Sequence, residues 1–225
     1  MFSKACREIA LLVKKEFLIE FRLKSALFSL LLYIGGTVFL IYLSFKLKTT
    51  EINPITWNTL YWIIMLFIAF NTVAKSFIQE SRSRDFYYYY VASPEGIIIS
   101  KMIYNALLMV VFGLVTLLFY SVVLGNPIQN FPLFLLTTII SGIGFGAGLT
   151  LVSGIASRTN NNAVLMAVLS IPVIMPLLLL LIKVSQHAVD GLQVSLIYKE
   201  LVILSLLDMI MVISSVILFP YLWRN

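Results

Sequence analysis

The chain has 225 residues, of which 60% are apolar and only 12% charged, with a formal net charge of +6. Such a balance excludes a single soluble core, since ordinary globular domains carry about a quarter charged residues, and it points to an integral membrane protein. Cys6 is the one cysteine, which excludes an intramolecular disulfide and a cysteine metal cluster.

Residues 1–24 are polar enough to stay out of hydrocarbon but are patterned as a helix. Lys4, Arg7, Lys14, Lys15 and Arg22 share one sector, while Ala5, Cys6, Ile9, Leu12, Val13 and Phe17 gather on the other. The pattern predicts an amphipathic interfacial helix on the cytoplasmic leaflet, read either as a basic topogenic leader or as a helix that also touches a cytosolic partner. Glu16 and Glu20 interrupt its apolar side.

Six apolar runs follow, at about 25–45, 57–74, 103–124, 131–155, 163–182 and 201–222. Each is long enough to cross roughly 30 Å of hydrocarbon as a helix, the form that satisfies its own backbone there. The first is too long and too late for a signal peptide. Trp57, Tyr61 and Trp62 read as an interfacial anchor of the second span, as do Trp223 and Arg224 at the end of the sixth. "GNPIQN", residues 125–130, permits only a tight turn, so the third and fourth spans form a hairpin.

Basic residues orient the bundle. Twelve of the sixteen Lys and Arg fall in the N-terminal segment, in the 75–102 loop, at Arg158 and at Arg224; the opposite side holds Lys46, Lys48, Lys183 and Lys199. Both termini are therefore expected in the cytoplasm. The excess charge is topogenic and calls for no nucleic acid. Residues 25–225 thus read as one six-helix transmembrane domain.

Within the spans, Gly142 and Gly146, like Gly144 and Gly148, stand four residues apart in "SGIGFGAGLTLVSG". The spacing fits neither a dinucleotide fingerprint nor a Walker A loop; it suits close helix packing, or else a deformable gating helix. Pro172 and Pro176 on the fifth span predict a bend, either a fixed feature or a hinge. Asp208 is the one acid well inside a span and must be paired, protonated or wetted. Hydrogen bonds to hydroxyls of neighbouring helices and a place on a substrate path are the two readings. His187, the sole histidine, is placed in the exterior loop between the fifth and sixth spans and reads as a solvated loop residue; with no second ligand and no C-x-x-C-H motif it is a weak signal for an axial haem ligand or a catalytic base. No intramembrane histidine supports a serine protease, and no enzyme constellation is visible.

The loop at 75–102 is unlike its surroundings: "FIQESRSRDFYYYYVASPEGIIISK" alternates charge with a tyrosine run and a Pro-Glu-Gly turn. Phe77, Glu80, Asp85, the Ser93-Pro94 pair and Lys101 resemble, in order, the segment between the second and third spans of ABC-2-type permeases, especially the haem exporter protein B (CcmB) family. Arg84-Asp85-Phe86 stands where that family has an acidic-Gly turn, and tyrosines replace much of an aliphatic stretch. "LVSGIASRTNNNAVLMAVLSIPVIMPLLLLL" is similar to the family's glycine-rich fourth span, short basic loop and Pro-x-x-x-Pro fifth span.

The resemblance implies a non-enzymatic permease subunit of an ABC complex for cytochrome c maturation in the bacterial inner membrane. Its implied partners are an ATP-binding subunit resembling CcmA, CcmC- and CcmD-like membrane proteins and a CcmE-like haem chaperone. Haem is then a transported or handled ligand, with no stably bound cofactor. In this frame Glu80, Asp85, Tyr88, Tyr89, Pro94 and Lys101 form the ATPase-coupling loop; the alternative is that Tyr87 to Tyr90 lie at headgroup level as an aromatic belt. Two other functions stay open: a lipid, polysaccharide or drug permease, and an ATP-driven assembly scaffold through which no haem passes.

Overall fold

A computed structural model describes residues 2–22, 24–47, 52–73, 77, 93–157, 162–192 and 194–224. Most of these residues lie in seven helices: α1 (Phe2–Arg22), α2 (Lys24–Lys46), α3 (Pro54–Val73), α4 (Pro94–Leu124), α5 (Phe131–Ala156), α6 (Asn162–Val189) and α7 (Val194–Arg224). All but α1 are long and apolar enough to cross a bilayer, giving the six expected spans.

The ends of the spans differ from expectation where helical caps extend them. Ser93, Pro94, Glu95 and Gly96 start α4 nine residues ahead of the apolar run. The Ser93 hydroxyl accepts from the Gly96 N–H at 3.2 Å, Pro94 supplies a fixed φ without needing a donor, and Glu95 lies near the positive end of the helix. At 31 residues α4 is roughly 46 Å long, well beyond the apolar thickness of a bilayer. It ends at Gly125, whose φ of 82° only glycine adopts readily. Asn130 then caps α5, accepting from the Leu133 N–H at 3.3 Å. α6 and α7 likewise run into the expected exterior loop, leaving a short turn at Asp190 and Gly191.

α5 is the most enclosed span, packed by α4, α6, α7 and α3, whereas α2 and α7 expose long apolar faces. One end of the bundle is fastened by aromatic rings. Trp57, Tyr61 and Trp62 of α3 pack with Tyr120 and Phe134, and all five are buried. Trp57, Tyr61 and Trp62 were expected as an interfacial anchor; they face the core instead, and their polar tips are satisfied by protein. Trp57 donates to the Gly125 carbonyl at 3.1 Å, Tyr61 to the Gly113 carbonyl at 3.2 Å, and Trp62 to the Ser185 hydroxyl at 2.6 Å. Ser185 in turn donates to Asn58 at 2.8 Å, linking α3 to α6. Buried polar groups bound this way fix helix rotation, since any other rotation strands a donor in hydrocarbon.

Candidate functional site

At the other end, the amphipathic helix α1 runs alongside the start of α4. Three contacts set the register: Glu8 to Ser93, Glu16 to Lys101, and Phe17 to Tyr104. Residue numbers rise together on both helices, so the two run in the same direction over about three turns. The carboxylates that interrupt the apolar side of α1 are the groups that fasten it.

Glu8 accepts from the Ser93 N–H at 2.7 Å and from the Ser93 hydroxyl at 2.9 Å, adding negative charge at the N-terminus of α4. Gly96 makes this approach feasible: a methyl there would lie 2.8 Å from the Ser93 Oγ and 2.9 Å from the Glu8 carboxylate. Two turns further on, Lys101 is buried, and its Nζ sits 3.2 Å from Glu16 Oε1 and 4.7 Å from the centre of the Phe77 ring. Lys15 approaches the same Glu16 oxygen at 2.8 Å from the wetter side. Burial by itself would raise the Glu16 carboxyl; the charges of Lys101 and Lys15, and hydrogen bonds from both, outweigh it and hold the group below its usual 4.5. Phe17 meets Tyr104 edge to face at 5.0 Å.

Phe77 joins this clamp to the far helices. Its N–H donates to the Ser153 hydroxyl of α5 at 3.3 Å, and its ring lies 5.3 Å from Phe219 of α7. The face of α1 turned away from α4 presents Arg7, Leu11, Lys14 and Leu18, all exposed.

Of the residues expected in a coupling loop, Pro94 and Lys101 belong to α4, and Lys101 is enclosed by protein. Glu80, Asp85, Tyr88 and Tyr89 lie outside the described residues. Pattern reading missed Glu8, Ser93 and Tyr104 as parts of the clamp and registered Glu16 as an anomaly on an apolar face.

The two glycine stripes of α5 serve different neighbours. Gly142 and Gly146 face α4, where a methyl on Gly146 would come within 2.7 Å of the Ala106 nitrogen. Gly144 and Gly148 face α6 and α7: Gly148 opposes Met211 and Val173, and a methyl on Gly144 would collide with Leu177 and with the Asp208 carboxylate. Both stripes are places where a neighbouring helix approaches closely. Asn105 of α4 reinforces the first by donating to Thr150 at 2.7 Å. Pro172 and Pro176 lie inside a helix that continues past both, with their rings exposed on its outer side.

Asp208 is buried at 5% exposure, and neither carboxyl oxygen has a hydrogen-bond partner among the described residues. Among the described residues the bonds to neighbouring hydroxyls are not made: on the same helix Ser205 donates to the Leu201 carbonyl and Ser215 to the carbonyls of Met211 and Ala147. His187 lies in the last turn of α6 and not in a loop. Among the described residues no three His, Cys, Asp or Glu side chains come together as a metal site.

No curated protein and no solved structure matches the chain. The model of one family, CcmB protein, matches residues 7–222, a stretch that takes in the clamp, the tyrosine loop and all six spans. With nearly its whole length matched and six helices of membrane-crossing length in place, the chain belongs to the CcmB family of multi-pass membrane transporter subunits in cytochrome c biogenesis.

Proposed function

We propose that this protein is the permease subunit of an ABC complex in the bacterial inner membrane, converting ATP hydrolysis by a separate cytosolic subunit into movement of the spans that handle haem. The observation that carries this reading is the clamp of Glu8, Glu16 and Phe77 on the first turns of α4. It adjoins the 78–92 segment and extends through Phe77 to α5 and α7. A push on that segment would reach three spans through contacts already formed. A cytosolic motor needs such an element, because it shifts an equilibrium only through contacts that differ between the two states.

In this reading Glu80, Asp85, Tyr88 and Tyr89 meet the ATP-binding subunit resembling CcmA, while Pro94 and Lys101 hold the base of the loop to the bundle. Haem is the substrate, exchanged with CcmC- and CcmD-like membrane proteins and passed to a CcmE-like chaperone. The excess of basic residues on the clamp side of the sequence favours that side as cytoplasmic.

The test is copurification. A variant carrying Glu80→Lys, Asp85→Lys, Tyr88→Ala and Tyr89→Ala should insert normally but retain much less ATPase subunit than a Gln193→Ala control, with cytochrome c maturation falling in parallel. Truncating well-buried aromatic anchors costs about 2 kcal/mol or more, around thirtyfold in affinity. Full ATPase binding by the loop variant would make the tyrosines a headgroup-level belt and shift the search to α1. Copurification of the tagged chain with proteins of lipid or polysaccharide export would overturn the haem assignment.

A further inference from the structure

Asp208 lies where α5, α6 and α7 meet, with its carboxyl over Gly144 and beside Leu177. Between Met102 and Leu124 of α4, along all of α5, from Val164 to Ile182 of α6 and from Leu201 to Leu222 of α7, the sequence contains no other Asp, Glu, Lys, Arg or His. α2 between 25 and 45 and α3 contain none either. Apart from Asp208, the Asp, Glu, Lys, Arg and His residues among the described residues of α4 to α7 stand at the helix ends: Lys183, His187, Lys199 and Glu200 at one, Glu95, Lys101 and Arg224 at the other, where Glu16 of α1 joins them. Lys183 and Glu200 pair with each other at 3.2 Å, as do Lys101 and Glu16. Of the tyrosines on α4, Tyr104 packs on Phe17 and Tyr120 donates to the Trp57 carbonyl. Among the described residues no counter-charge faces Asp208 from any packed element.

An ionised carboxylate without a partner in such a place carries a desolvation cost that neither a hydrogen bond nor an opposite charge offsets. A proton removes that cost at the carboxyl itself. The absence of a side chain at Gly144 leaves the carboxyl room to sit neutral against the α5 backbone, and a methyl there would displace it.

We propose that Asp208 is a proton-binding site of the closed bundle: the carboxyl holds a proton while α5 and α7 are in contact and releases it when their separation admits water. Closure is thereby linked to proton uptake. The direction follows from mass action: the proton belongs to the closed form, so rising pH favours the open form. One linked proton shifts the open-to-closed ratio by at most about tenfold per pH unit. This inference stands apart from the haem reading, because any cargo leaves it unchanged.

The experiment uses the full chain in liposomes and infrared spectroscopy. The carbonyl stretch of a protonated, buried carboxyl should be present at neutral pH, absent in Asp208→Asn, and lost as pH is raised. The protection of amides across residues 141–150, corrected for the intrinsic base-catalysed exchange rate, should fall over the same pH range in the native chain and be independent of pH in the variant. Asp208→Asn should stay folded, since an amide replaces the neutral acid with little change of shape; its thermal stability at neutral pH should match the parent. Three results would overturn the proposal: no such band at neutral pH, a band that sodium or potassium abolishes at constant pH, or a band that persists unchanged until the protein unfolds.

Discussion

Replacing Glu16 with Gln removes one partner from an enclosed pair and strands the other. Lys101 has a side-chain exposure of 3% and Glu16 of 13%, so solvent offers little compensation. Breaking a buried pair on one side costs about 3–5 kcal/mol. The Phe77 ring limits the loss by retaining about 0.5–2 kcal/mol of cation–π attraction. The expected penalty is therefore about 3 kcal/mol, roughly a hundredfold rise in the fraction of α1 detached from α4.

Lys101→Met should cost less, about 1–2 kcal/mol, because Glu16 keeps Lys15 at 2.8 Å. The double variant should fall within about 1 kcal/mol of the parent, since neutral groups of similar size leave no charge behind. Detachment can be read as the rate of tryptic cleavage after Lys14 and Lys15 in the solubilised chain, which follows the open fraction when opening and closing outpace cleavage. A Glu16→Gln rate within threefold of the parent, or strictly additive effects in the double variant, would refute the idea that this pair is buried and coupled.

The same clamp predicts a pH response: Glu16 is held below 4.5 when α1 is attached, so attachment is complete at neutral pH and weakens as pH falls below that value, an effect that Glu16→Gln should abolish in the cleavage assay. Glu8→Ala should cost about 1–2 kcal/mol by removing the acceptor from Ser93, seen as faster amide exchange at residues 93–97 with α5 unaffected. Gly146→Ala should destabilise the bundle by about 1–3 kcal/mol by overpacking against Ala106, measured by unfolding in mixed micelles, while Gly35→Ala, which meets nothing within 4 Å, should be neutral or better. With Cys6 replaced, cysteines at Ser83 and Asn161 should be labelled only from the cytoplasmic side and one at Gln186 only from outside; labelling at Ser83 from outside in intact cells would reverse the orientation.

The six spans were legible because about twenty apolar residues in a row admit few other structures. The start of α4 was misread as a turn, because an N-cap followed by proline in Ser93-Pro94-Glu95 fits either, and a helix projecting beyond the apolar run leaves no hydropathy trace. Glu16 stood out as misplaced on an apolar face. Its partner did not, since Lys101 is remote in sequence and the pairing is decided by how helices dock. The four-residue glycine spacing showed that α5 would be approached closely; which helix each stripe receives depends on its rotation, which the neighbours set. Asp208 was visible as a lone acid, whereas its lack of a bonding partner among the described residues is a property of three helices assembled.

The distance along the chain between Glu8 and Ser93 also sets a clock. Their 85-residue separation takes about 4 to 17 s to synthesise at 5–20 residues per second. For that interval the ribosome has delivered α1 but not the helix that satisfies its acids. The acid-bearing side of α1 must meanwhile face water or lipid headgroups, while the first two spans enter the bilayer. Docking of α1 is therefore a late event in biogenesis, set by the arrival of α4, and nascent chains stalled before Ser93 should leave α1 open to protease however well their first spans have inserted.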